Sequence, residues 1–140
     1  MVHWGVKSYE NDDAADALDA GFDRVHGTLY EGLMDDRDPM PFEQVQERLA
    51  AAETLAAAVA ALRAAVGRPF EEFDEGERLA FAGVIVRHAE RGVPIPGDWR
   101  RQALDWLEHE EIEWQEATAR RLRREEEIAL LRRGPGGPGA

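Results

Sequence analysis

From residue 45 to residue 66 the apolar side chains recur every third or fourth position. Val45, Leu49, Ala52, Leu55, Val59, Leu62 and Val66 step by 4, 3, 3, 4, 3 and 4. That spacing fits a helix of 3.6 residues per turn and no strand, whose faces alternate every second residue. Leu18, Phe22, Val25, Leu29 and Leu33 step by 4, 3, 4 and 4 and make a second stripe. A striped helix must bury its apolar face against another element, and nothing in the chain alternates like a strand.

The reading is therefore all-α. A bundle of about five helices occupies residues 1–133 as a single domain. The first helix opens after Asn11 or Asp12 and runs to about residue 34. The second begins at Pro41 and reaches residue 66, with a break near 50–53 as the alternative. The third spans 74–91; Leu79, Phe81, Ala82, Val84, Ile85 and Val86 are apolar nearly all round, which marks it as the central helix. Asp98 caps a fourth, and a fifth covers about 113–133, either separate or continuous with the fourth. Gly21, Gly27 and Gly32 each weaken the first helix and permit a neighbour to come close. Residues 1–10 form an extended arm. The Gly/Pro tail 134–140 is disordered.

Composition narrows the function. The chain has 140 residues, 33% of them charged, no cysteine and a formal charge of −12. Without cysteine there are no disulfides, thiolate metal sites or thiol nucleophiles. No run approaches the ~20 apolar residues of a membrane helix. The start lacks the basic and apolar regions of a signal peptide, so the expected address is the cytoplasm and no membrane partner is expected. A strongly acidic surface argues against nucleic acid as a partner.

The charge is uneven. Residues 1–38 carry ten acids against three cations, whereas residues 118–140 carry six arginines against three glutamates. The two ends are thus suited to meet, within one molecule or between two. Six acids lie between Asp105 and Glu116 with no Lys or Arg among them. The neighbouring Arg-rich stretch, of the same or another chain, is their natural balance.

Asp12, Asp13 and Asp16, with His26, are the candidate metal ligands, because hard cations want several carboxylate oxygens. Their spacing does not match the calcium-binding loop, and the acids equally suit a helix start, where capping and the dipole favour them. None of the four histidines sits in an H-E-x-x-H pair. His26 reads equally as a hydrogen-bonded, partly buried side chain. Trp4 and Tyr9, with Arg120, Arg121, Arg123 and Arg124, are the candidate partner-binding residues. The arginines also fit a solvated helix with ion pairs Arg121–Glu125 and Arg123–Glu127. There are one serine and three threonines, and no nucleophile elbow, P-loop or dinucleotide fingerprint. No catalytic residue and no cofactor is assigned.

Trp4-Gly5, then Tyr9-Glu10-Asn11-Asp12-Asp13-Ala14-Ala15-Asp16, resembles the opening of the DUF4259 family of small bacterial proteins. That family opens with Trp-Gly, a spacer, an aromatic and an acidic Asn-Asp run leading into a helix. Lys7-Ser8 stands where the family often has Gly-Pro, and Ala17 where Trp is common. The resemblance implies a small bacterial cytoplasmic protein and lends no catalytic residues. The expected function is a non-enzymatic acidic module for protein–protein interaction or self-association. The alternative is a metal-dependent enzyme or metal-binding protein using the Asp cluster.

Overall fold

The computed structural model describes residues 5–27, 49–112 and 117–133. Five α-helices and a short 3₁₀ turn account for most of them, and no strand occurs among the described residues. The helices are α1 (Asp12–His26), α2 (Ala52–Val66), α3 (Glu75–Ala89), α4 (Gly97–Glu108) and α5 (Ala117–Arg133).

Each boundary has a local cause. The Asn11 side chain accepts a hydrogen bond from Ala14 N at 2.9 Å, so Asn11 is the cap of α1. Its Nδ2 donates to Ser8 O at 2.7 Å, which ties the arm to the helix. The α1 helix stops at His26, short of the expected residue 34, because Gly27 takes φ 51° and turns the chain away. Leu29, Gly32 and Leu33 lie outside the described residues, as do residues 41–48. Before α2, Ala51 is extended, so the helix starts at the break and not at Pro41. Ala51 N donates to Thr54 Oγ1 at 2.9 Å there.

Asp74 and Glu77 cap α3 reciprocally, each side chain accepting from the other's backbone N–H. Asp98 does not cap α4. That helix begins one residue earlier, at Gly97, and Asp98 pairs with Arg101 on the surface instead. Residues 110–112 are not helical, so α4 and α5 are two helices and not one rod.

The α3 helix is central. Every residue from Leu79 to Ala89 is buried, and the helix touches all four others. Phe70, Phe73, Phe81 and Trp106 form an aromatic cluster between the 3₁₀ turn, α3 and α4, with ring centroids 5.1–5.9 Å apart. At the other end of α3, His88 stacks on Phe22 of α1 at 5.7 Å. Its Nδ1 donates to Val84 O at 3.0 Å, and its Nε2 lies 2.8 Å from Thr54 Oγ1 of α2.

Two glycines allow the close contacts. A Cβ on Gly21 would lie 2.6 Å from the backbone N of Ala58, so α1 and α2 cross nearly backbone to backbone. A Cβ on Gly83 would collide with Ser8 O, so the arm rests directly on the backbone of α3. Gly83→Ala is expected to lift the arm and cost about 1–3 kcal/mol, the range for overpacked interiors. Urea unfolding reads this, and an unchanged midpoint would remove the arm from that seat.

Candidate functional site

The arm is held by a buried ionic network. Ser8 N and Ser8 Oγ donate to Glu127 Oε2 at 2.9 and 2.7 Å. Glu127 also receives Arg120 Nη1 at 2.8 Å and Arg123 Nε at 3.3 Å. Arg120 donates further to Val6 O at 2.9 Å and grips Glu110 with two bonds of 3.0 and 2.6 Å. The side chains of Arg120 and Glu127 are both 0% exposed. Burial works against the Arg120 charge. Hydrogen bonds and attraction from Glu110 and Glu127 outweigh it and hold the guanidinium pKa above its ordinary value.

Tyr9 sits beside this network, 6% exposed. Arg87, Lys7 and Arg123 approach its ring at 5.2, 5.7 and 6.0 Å. Burial, and then the Glu90 carboxylate that accepts a hydrogen bond from its hydroxyl, push its pKa well above the usual phenol value. Tyr9 is a neutral structural post, not a titrating group.

Tyr9 and Arg120 were expected at a partner-binding surface, and both face inward. Their partners are other parts of the same chain. Arg123 is also largely engaged, with Glu127 and, at 3.3 Å, Glu90. Arg124 donates to Glu110 O at 3.0 Å. Arg121 is the exposed one of the four, and among the described residues it makes no pair with Glu125. Trp4 lies outside the described residues. Two acids of the run before α5 are balanced within the chain, Glu110 by Arg120 and Glu108 by Arg132 at 2.5 Å, while Glu113 and Glu116 lie outside the described residues.

The N-terminal acids have the opposite fate. Asp12, Asp13 and Asp16 are all exposed, and no cation among the described residues pairs with Asp13 or Asp16. Asp12, Asp16, Asp19 and Asp23 step by 4, 3 and 4, so they share one outward face of α1. His26 is not gathered with them; its Nε2 lies 3.1 Å from Leu49 O. Among the described residues, no group of three or more His, Asp or Glu side chains is placed to hold a metal ion. No described helix is long and apolar enough to cross a membrane.

Sequence reasoning missed what lies beside those acids. Beyond the Gly21–Ala58 crossing, α1 and α2 leave a groove of about 310 Å³. Ala17, Ala20, Ala61, Leu62, Ala65 and Val66 line it, and Asp13, Asp16 and Glu77 stand at its rim. The α2 helix carries only Glu53 and Arg63 as charges, and its outward Ala52, Ala56, Ala60 and Ala64 are exposed. The alanine content of residues 50–65 was a legible signal for a poorly covered face. The arrangement offers apolar contact and negative charge side by side. Among the described residues its lining includes no Ser, Thr, Lys or His. Compared with known family models, curated proteins and solved structures, the chain matches none.

Proposed function

We propose that this chain is a non-enzymatic, acidic helical module for protein–protein interaction or assembly, and that its partner surface is basic. The observation that carries the reading is the separation of its charges. The C-terminal arginines Arg120, Arg123 and Arg124 are engaged with the chain's own groups, while Asp12, Asp13 and Asp16 stand exposed on the outside of α1. Exposed like charges repel one another, and a basic partner relieves that repulsion. In this reading the residues of the DUF4259-like opening divide their work. Tyr9 and Asn11 build the fold, and the aspartates that follow meet the partner. A cytoplasmic bacterial setting suits both.

The test is a pull-down from native lysate with the tagged chain, beside an Asp13→Arg/Asp16→Arg variant of equal thermal stability. Light scattering on a sizing column at low and high salt accompanies it. The expected result is an association that weakens with salt and is lost in the charge-reversed variant. A monomer at every salt concentration that captures nothing would end the proposal.

A further inference from the structure

We infer that the groove between α1 and α2 is the docking seat for a basic amphipathic helix of a partner protein. The inference rests on the interaction reading above and gives it a location and a shape.

The shape comes from the two antiparallel helices. They touch at Gly21 and Ala58, and the α1 start and α2 end leave the groove beyond that crossing. The lining is small: Ala17, Ala20, Ala61 and Ala65, with Leu62 and Val66 between them. Ala20 and Ala65 are themselves exposed, so no large side chain of the lining fills the space. A cleft between two helices is geometrically suited to a third helix, whose apolar side chains interdigitate with the shallow alanine surface. A volume of about 310 Å³ accepts a few aliphatic side chains and not a domain.

The occupant's charge comes from the rim. Glu77 already holds Arg68 and the Asp74 N–H, so it is largely spent. Asp13 and Asp16 are not paired with any cation of the described residues, and they stand three residues apart on one side of the groove. A helix with leucines on one face and Lys or Arg flanking them would satisfy floor and rim together. The chain itself supplies no such segment nearby in sequence. Residues 28–48 carry six acids against two arginines, and residues 134–140 carry no charge. A second copy brings another −12 with it, which disfavours self-docking.

The probe is a fluorescein-labelled synthetic peptide of leucine and lysine, patterned as an amphipathic helix. Its control is the same composition scrambled so that no apolar face forms. Anisotropy titrations use the full chain. The patterned peptide is expected to bind at least about tenfold more tightly than the scrambled one, because the apolar face must reach the groove floor. Ala20→Trp and Ala65→Trp, one on each wall, each fill the groove without changing charge. Each is expected to weaken the patterned peptide by about tenfold or more, with melting temperature and circular dichroism unchanged. Asp13→Asn/Asp16→Asn is expected to weaken it and to flatten its salt dependence.

Equal binding of patterned and scrambled peptides would overturn the inference, since charge alone would then explain attraction. So would tryptophan variants that bind like the wild type. Self-association abolished by Ala65→Trp would place a second copy in the groove and overturn the basic-partner assignment. Partners captured from lysate that respond to charge reversal at Asp13 and Asp16 but not to Ala65→Trp would sink the groove alone. The broader interaction reading would survive that result.

Discussion

Arg120→Met is expected to destabilise the fold by about 3–5 kcal/mol, the cost of stripping one partner from a buried charge pair. The substitution keeps an unbranched apolar side chain of roughly similar length, so the loss is mainly electrostatic. It removes at least four hydrogen bonds, two to Glu110, one to Glu127 and one to Val6 O. Two carboxylates then remain in the interior with less compensation, since the Glu110 side chain is 6% exposed and that of Glu127 is 0%. Arg120→Lys should recover little, because an ammonium cannot fork onto Glu110 while reaching Val6 and Glu127. Arg121→Met, one position along and exposed, should stay within about 0.5 kcal/mol of the wild type. Urea unfolding of the three variants decides it. A loss below about 1 kcal/mol for Arg120→Met would mean that the network is looser than its geometry.

The second large effect is a loss of stability between pH 6.5 and pH 4. Burial lowers the His88 pKa from 6.5 to about 4, opposed by its bond to Val84 O and reinforced by the nearby Arg87 charge. Above pH 6.5 the imidazole is neutral in both the folded and the unfolded chain, so it adds no pH dependence. As the pH falls below 6.5 the unfolded chain takes up a proton that the folded chain refuses until about pH 4. Proton uptake by the unfolded state alone lowers stability as pH falls. The full shift corresponds to about 3 kcal/mol by pH 4. His88→Gln removes the titrating group, so its stability curve should be flatter than the wild type's in this window. Proton NMR gives the direct check. A His88 ring that titrates near 6.5 in the folded protein would refute the assignment.

Periodicity made the helices legible, and above all the central one. The unbroken apolar run from Leu79 to Val86 is a property of sequence that only a helix buried on every side can satisfy, and α3 is that helix. Capping chemistry at Asn11 was legible for the same local reason. The end of α1 was not, because apolar spacing continues through Leu29 and Leu33 while Gly27 turns the backbone at residue 27. A positive φ belongs to one residue, and a stripe averaged over several turns hides it.

Charge was legible as a tendency and not as a wiring diagram. The meeting of the two ends was expected from the acidic start and the basic finish. The bonds that join them run from Ser8 and Val6 of the arm to Glu127 and Arg120. Asp13 and Asp16, two of the acids behind the imbalance, pair with no cation of the described residues. Arg120 and Arg121 are adjacent and chemically identical, yet one is buried and the other exposed. Only the angular position of each around α5 separates them, and that depends on where the helix lies against α3. The groove escaped the sequence for the same reason: its alanines become a surface only once α1 and α2 cross at Gly21.

The contacts between the arm and α5 also order events in time. Ser8 and Glu127 are separated by 119 positions along the chain. A chain made from its N-terminus exposes the arm early and the residues that bind it much later. Until then the backbone of Gly83 has no arm pinned against it by Glu127, and the central helix is left with one side unsealed. Synthesis and the closure of this part of the interior are thus coupled, because the arm cannot be pinned on α3 before α5 has emerged.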